Sequence, residues 1–191
     1  MAKQRFHERL VAITDIETTG LDPFKHDIID LGSVLVDHSM QVVDELELKI
    51  KPTFYHPPEK KALQINGYNE AEWQDAIDIK SALTEYSDFA RDAIFAAYNV
   101  TFDWSFVSAA FKKYKTENTM SYHRVDIMSM FALKVMIATA IGEDDIPEGV
   151  SLKNACERLG VEPEPDIHRA MNGAKTAYAV LKTLHQEGFD D

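Results

Sequence analysis

Three acidic residues and one histidine stand at places in the chain where they could do metal-assisted chemistry. Asp15 and Glu17 close a short apolar segment, and two strand residues at this spacing lie on the same face of a sheet. Asp103 follows a second apolar segment, and His168 precedes the last amphipathic segment. Neighbouring carboxylates repel each other unless a cation lies between them, and such hard oxygen ligands suit Mg²⁺ or Mn²⁺.

Together these four side chains are the components of a phosphodiester-hydrolysing site. Three carboxylates can hold two metal ions that activate a water and stabilise the leaving oxygen. A histidine, whose ordinary pKa lies near neutrality, is a suitable base for that water. Each residue taken alone has an ordinary structural interpretation: solvated acids at a strand end, an acid beside a helix N-terminus and a surface histidine.

The elements that must position these residues follow from the apolar pattern. Alternating or short β-branched segments predict strands over 10–17, 28–37, 42–51, 93–100 and 122–127. Helical spacing predicts helices over 78–92, 102–114, 128–139, 152–160 and 167–187. Residues 52–73, with several prolines and an Asn-Gly pair, are expected to be irregular with one short helix. Ser151 is expected to cap the helix that Gly160 ends.

A hairpin followed by alternating helices and strands predicts an α/β fold, in which helices cover a mixed sheet. Ligands in such sheets gather at the carboxyl ends of strands, which is where Asp15, Glu17 and Asp103 are predicted to lie. The length of 191 residues suits a single domain spanning 1–191.

Composition excludes some classes of function. The net charge of -12 argues against a broad basic surface for nucleic acid, although a small metal-assisted contact with phosphate is compatible with it. The single cysteine, Cys156, cannot form an intramolecular disulfide. The N-terminal segment lacks a signal-peptide pattern and no apolar run is long enough to span a membrane, so we expect a soluble, cytoplasmic protein with no membrane partner.

Three motifs carry a resemblance to a known family. "DIETTGLDP", "NVTFD" and "HRAM" are similar, in order and approximate spacing, to the three motifs of the DEDDh 3′–5′ exonucleases, which include proofreading exonucleases and ribonuclease T. The resemblance covers nearly the whole chain. It implies a ribonuclease H-like fold, with a mixed five-stranded sheet flanked by helices. It also implies metal-dependent release of nucleoside monophosphates from single-stranded DNA or RNA 3′ ends.

The same resemblance implies a role for each matching residue. Asp15 would bind both of two Mg²⁺ or Mn²⁺ ions, Glu17 the ion on the nucleophile side, and Asp103 would serve the second ion. His168 would be the general base. The residues implied to lie near the 3′-terminal nucleotide are Thr18, Thr19 and Phe102.

One element of the family pattern is missing. The family has a fourth acid five residues after the histidine, where this chain has Gly173. A side chain there would lean toward the sheet, because residue 173 borders the apolar stripe of the last helix. The missing carboxylate is expected to weaken the ion that generates the hydroxide. Asp166 or a water are the replacements that the sequence leaves open.

Gly173 therefore leaves more than one interpretation. The first is an active exonuclease, slowed or dependent on Mn²⁺. The second is an exonuclease-fold protein that binds 3′ ends or a protein partner without turnover. A third, an inactivating substitution introduced at this position, is less favoured because such substitutions usually place alanine or asparagine. The oligomeric state and the choice between DNA and RNA have no readable signal in the sequence.

Overall fold

The structure of the protein is a computed structural model that describes residues 5–188. Its centre is a five-stranded sheet with the strand order β3-β2-β1-β4-β5. The strands are β1 (Val11–Thr18), β2 (Ile28–Val36), β3 (Val42–Lys49), β4 (Ile94–Ala97) and β5 (Arg124–Asp126). The helices are α1 (Lys60–Asn66), α2 (Ile79–Phe89), α3 (Val100–Tyr114), α4 (Ile127–Ile141), α5 (Leu152–Leu159) and α6 (Ala170–Glu187).

The sheet is mixed, as the sequence predicts. Strand β1 pairs antiparallel with β2 and parallel with β4, and β2 and β3 form the predicted hairpin. Strands β4 and β5 are parallel. All nine residues of β2 are buried, whereas β3 lies at an edge and leaves most of its side chains exposed. The carboxyl ends of β1 and β4 therefore meet at one end of the central sheet.

Helices cover both faces of this sheet. Side chains of α2 and α3 pack on one face, where the buried phenol of Tyr86 forms a hydrogen bond of 2.6 Å with Thr14 of β1. Helices α4, α5 and α6 pack on the other face. On β1, the residues that face α6 are the odd-numbered ones, so Asp15 and Glu17 point toward this helix rather than toward α3.

Most predicted helices and strands are present, with differences at their ends. Strand β4 is shorter than predicted because Asn99 has a left-handed backbone (φ 66°) and begins the turn into α3. Helix α6 begins at Ala170 rather than 167, since Arg169 is extended. The predicted cap of α5 is confirmed: Ser151 accepts a hydrogen bond from Asn154 N–H, and Gly160 ends the helix with φ 65°.

Helix α4 is less enclosed than its sequence suggests. A helix that is apolar almost all round is usually buried, yet one side of α4 faces solvent. Its exposed apolar residues are Met130, Leu133, Met136, Ile137 and Ile141. Within residues 5–188, no helix is both long and apolar enough to cross a membrane.

Candidate active site

Strand register places the first two acids side by side. Asp15 is opposite Gly32 and Glu17 is opposite Asp30 in the β1–β2 pair, so all four residues belong to the sheet face covered by α6. Glu17 is buried, with only 9% of its surface exposed. The prediction that Asp15 and Glu17 share a face is confirmed.

Asp103 reaches the same strand from α3. It lies in the first turn of this helix and is 3% exposed. Its Oδ1 accepts a hydrogen bond of 3.2 Å from the backbone N–H of Ile16, the residue between the two β1 acids. The structure thus brings Asp103 to the carboxyl end of β1, as predicted.

His168 lies on the loop between α5 and α6, and backbone and side-chain hydrogen bonds hold this loop in place. The N–H of His168 donates to Ile65 O (3.1 Å). The guanidinium of Arg169 donates to the carbonyl oxygen of Asn66 and, at 2.8 Å, to the Glu72 carboxylate. Segment 168–169 is therefore extended against the end of α1, which explains why the helix starts later than its sequence pattern predicts.

The His168 ring faces two carboxylates. Its Nδ1 is 3.9 Å from Glu17 Oε1 and 3.6 Å from Glu164 Oε1. The imidazole is 40% exposed, so one side of the ring remains open to solvent. His168 is therefore beside the β1 acids and accessible to a water or a substrate.

Helix α6 approaches the sheet unusually closely because β2 has a glycine beneath it. A Cβ on Gly32 would lie 2.3 Å from Met171 N and 2.4 Å from Ala170 C, both backbone atoms. Next to it, Asp30 Oδ2 accepts a hydrogen bond of 3.3 Å from Ala170 N–H. Arg169, at the N-cap, has no side-chain capping bond, so Asp30 caps the helix from β2 and its charge suits the positive end of the helix dipole.

Gly173 lies directly over Asp15. A Cβ at residue 173 would be 2.5 Å from Asp15 Oδ2 and 2.7 Å from Asp15 Cγ. This confirms that a side chain at 173 would point toward the sheet. In this structure the Asp15 carboxylate lies where such a side chain would begin.

The site has an excess of negative charge that is removed from water. Burial, followed by repulsion from Asp30, Glu164 and Asp103, raises the pKa of Glu17 to about 8. Burial and the Asp103 and Glu17 charges raise the pKa of Asp15 well above its ordinary value. Burial also raises the pKa of Asp103. These carboxylates have too few cationic partners to stabilise their charged forms.

The donor set fits a hard divalent cation, which would relieve this repulsion. Asp30 Oδ1 is a buried carboxylate oxygen without a hydrogen-bond partner, which is a further sign of uncompensated charge at this face. Across residues 5–188, no three His, Cys, Asp or Glu side chains are already grouped at metal-binding spacing. The acids would therefore have to turn toward an ion that they bind.

The residues predicted to approach the nucleotide are nearby, but two of them are engaged internally. Thr18 and Thr19 are buried. Thr18 Oγ1 donates to Gly20 O (2.8 Å), and Thr19 Oγ1 accepts from Asp27 N–H (2.9 Å). Phe102, in the first turn of α3, is partly buried against the core. Contact between these three residues and a substrate stays a prediction.

Sequence reasoning missed Asp30, Gly32 and Glu164. Asp30 interrupts an apolar segment, and a charge in a fully buried strand is a signal that it needs a partner. Gly32 is a strand glycine, a sign of close backbone approach. Glu164 had no such signal, because "EPEP" reads as a solvated loop. Asp166, the acid considered as a replacement, is exposed.

Comparison with known proteins agrees with this site. The family model described as "Exonuclease" matches residues 12–181, which include Asp15, Glu17, Asp103 and His168. The chain belongs to this exonuclease family. The resemblance drawn from the three motifs is thereby confirmed, and the protein is a member of the DEDD-type exonucleases.

Relatives and solved structures extend the likeness over most of the exonuclease chain. This chain is 29% identical over 176 residues to a PolC-type DNA polymerase III of Thermotoga maritima. It is 26% identical over 186 residues to the PolC-type DNA polymerase III of Bacillus subtilis. These alignments cover 92% and 96% of the chain but 12% of each polymerase. A structure of exonuclease I has a TM-score of 0.76 at 17% identity, covering 93% of this chain and 41% of that one. The ribonuclease H-like fold is confirmed.

Proposed function

We propose that this exonuclease is a metal-dependent 3′–5′ enzyme that releases nucleoside monophosphates from the 3′ ends of single-stranded DNA or RNA. The observation that carries the proposal is the convergence of Asp15, Glu17 and Asp103 at the end of β1, with His168 Nδ1 3.9 Å from Glu17. A cytoplasmic location and action as a single domain are part of the same proposal.

The acids and the histidine have separate roles in this reaction. Asp15, Glu17 and Asp103 would hold two Mg²⁺ or Mn²⁺ ions, which supply positive charge for the phosphate oxygens and lower the pKa of a bound water. His168 accepts the proton of the attacking water at its imidazole. The water oxygen bonds to the last phosphorus as the bond to the preceding 3′ oxygen breaks. The products are a nucleoside 5′-monophosphate and a strand shorter by one nucleotide with a new 3′ hydroxyl.

A single-stranded substrate agrees with the charge of the chain. A protein with a net charge of -12 has little basic surface for following a long duplex, so the grip would be local, at the 3′ end. Support by likeness comes from exonuclease I, which has been solved in complex with a dT13 oligonucleotide and matches this chain with a TM-score of 0.75 at 18% identity.

The test is digestion of a 5′-end-labelled single strand. With Mg²⁺ or Mn²⁺ we expect a ladder of products that shorten one nucleotide at a time from the 3′ end, and no products with chelator. His168→Gln should slow this ladder about 100-fold or more, the usual contribution of a general base. An intact strand in both metals, or internal cuts in place of a ladder, would refute the proposal.

A second function is favoured by a specific observation, the absence of a side chain at Gly173. If this loss abolishes turnover, the protein would bind 3′ ends or a protein partner without hydrolysis. It would then show binding of a fluorescent single strand, weakened by a 3′-terminal phosphate, with no shortening in Mg²⁺ or Mn²⁺. The ladder and the binding curve, measured on the same protein, separate the two functions.

A further inference from the structure

The place of the family's fourth acid holds no carboxylate in this structure. Residue 173 is glycine, and the Asp15 carboxylate lies 2.5 Å from where its Cβ would be. An exonuclease with this site therefore needs its fourth acid from another position. The inference below rests on the proposed function.

Glu164 lies on the α5–α6 loop, four residues before His168. Its side chain is only 19% exposed, which is uncommon for a glutamate without a lysine or arginine partner. Among the residues that the structure describes, the one cationic group in ion-pair contact with it is His168, at 3.6 Å, a residue that is charged only when protonated. No pattern in the sequence explains why this loop glutamate is mostly buried.

Glu164 and Glu17 converge on the same atom. Oε1 of Glu164 is 3.6 Å, and Oε1 of Glu17 is 3.9 Å, from Nδ1 of His168. The charge of Glu164 also contributes to the raised pKa of both Asp15 and Glu17, as expected of a carboxylate close to the end of β1. The loop thus brings a negative group to the side of the β1 acids that faces His168.

The other candidates for a replacement are less suitable. Asp30 is fully buried, and one of its oxygens accepts the hydrogen bond from Ala170 N–H that starts α6. Asp166 is exposed, and Asn172 is neutral. Glu164 combines a partly buried carboxylate with contact to His168, the proposed general base.

We propose that Glu164 supplies the carboxylate that residue 173 lacks and binds the ion held by Glu17. The acid thus comes from the loop that precedes His168, rather than from the helix that follows it. Catalytic metal binding in this protein then depends on the conformation of the α5–α6 loop, which Arg169 ties to Asn66 and Glu72.

Calorimetric titration of the metal-free chain with Mn²⁺ alone tests this assignment without measuring activity. Glu164→Gln should weaken Mn²⁺ binding about 10- to 100-fold, the range for loss of a residue that supports a metal site. Glu162→Gln is the matched control, because it removes the same charge from an exposed residue of the same loop and should leave binding unchanged. Thermal unfolding in chelator shows whether each variant is folded.

Two further variants separate direct binding from charge alone. Glu164→Asp keeps the charge but shortens the side chain, so it should weaken binding nearly as much as Glu164→Gln. Adding Gly173→Asp to Glu164→Gln should recover Mn²⁺ affinity, since it returns an acid to the family position. Wild-type affinity in Glu164→Gln, or in Glu164→Asp, would overturn the assignment.

These outcomes are distinct from failure of the proposed function. If the wild-type protein binds Mn²⁺ and shortens the strand while Glu164→Gln binds Mn²⁺ equally well, only the role of Glu164 is refuted. If the wild-type protein neither binds Mn²⁺ nor shortens the strand, the proposed function fails, and the metal role of Glu164 fails with it.

Discussion

Asp15 and Glu17 owe their positions to the register of a buried sheet, whereas Glu164 and His168 lie on a loop that side-chain and backbone contacts hold against the end of α1. On the sheet side of the site, which Asp15 and Glu17 form, the family positions carry the expected acids. On the α5–α6 side, which Glu164 and His168 form, the family's fourth acid is replaced by Gly173, and a loop acid, Glu164, faces His168. Backbone pairing permits few alternatives, because slipping a strand by one residue reverses every side chain. A loop can exchange the source of a carboxylate without disturbing the core.

The largest expected effect tests the sheet side. Asp15→Asn should reduce the single-turnover rate about 1000-fold, because electrostatic groups that act in the transition state are each worth ~10²–10³-fold and this residue is assigned to both ions. Rapid-quench digestion of the 5′-labelled strand measures it. Asp166→Asn, an exposed acid near His168, is the control and should stay within about twofold. A rate for Asp15→Asn above a tenth of wild type would mean that the sheet acids do not govern the reaction.

The second prediction concerns the contact that joins the two sides. Gly32→Ala would place a Cβ 2.3 Å from the Met171 backbone, so α6 must move away from β2. We expect the free energy of unfolding to fall by about 3 kcal/mol, at the upper end for overpacking, because the obstructing atoms are backbone. Urea denaturation measures this change. Gly149→Ala is the control, since its Cβ would make an ordinary 3.5 Å contact with Asn154, and an equal loss in both variants would contradict the explanation.

The third prediction uses the raised pKa values. Glu17 has its pKa raised to about 8 and Asp30 to about 6, so the folded protein binds more protons than the unfolded chain from about pH 4 upward. These two groups therefore stabilise the folded, metal-free protein most at acid pH, and their contribution decreases as the pH rises through these values. Independent titration of both groups would give a larger effect, but interacting acids titrate together. We therefore expect the free energy of unfolding to fall by about 2 kcal/mol between pH 5 and 8.

Denaturation in chelator across this pH range provides the measurement. Glu17→Gln should flatten the profile by removing the group with the higher of these two pKa values. Saturating Mn²⁺ should also flatten it, because an ion between the carboxylates favours their charged forms. A metal-free protein whose stability rises over this range would show that the sheet acids are not repelling one another.

The sequence predicts the sheet acids of the site more fully than it predicts the α5–α6 loop. The spacing of Asp15 and Glu17 sufficed to place them on one face, and alternation and capping predicted the strands and most helices. The closeness of Gly32 to α6 depends on long-range packing, which periodicity in a single segment does not contain. Burial of Glu164 depends on where Arg169 anchors the loop, some hundred residues from Asn66 in sequence. Even so, Gly173 was correctly predicted to face the sheet, because helical spacing determines that direction.

The smallest expected effect lies at Gly173. Gly173→Asp adds the family's acid, and the Asp15 carboxylate, the end of a side chain, can turn to admit it. If Glu164 already binds the ion, the single-turnover rate should change less than about tenfold, or ~1.4 kcal/mol in the barrier. Gly173→Ala is the matched control, because it displaces Asp15 in the same way without adding a charge, so it should fall below wild type. A gain of about 100-fold or more, ~2.7 kcal/mol, would instead mean that the α5–α6 side is impaired and that the protein is better described as a binder of 3′ ends.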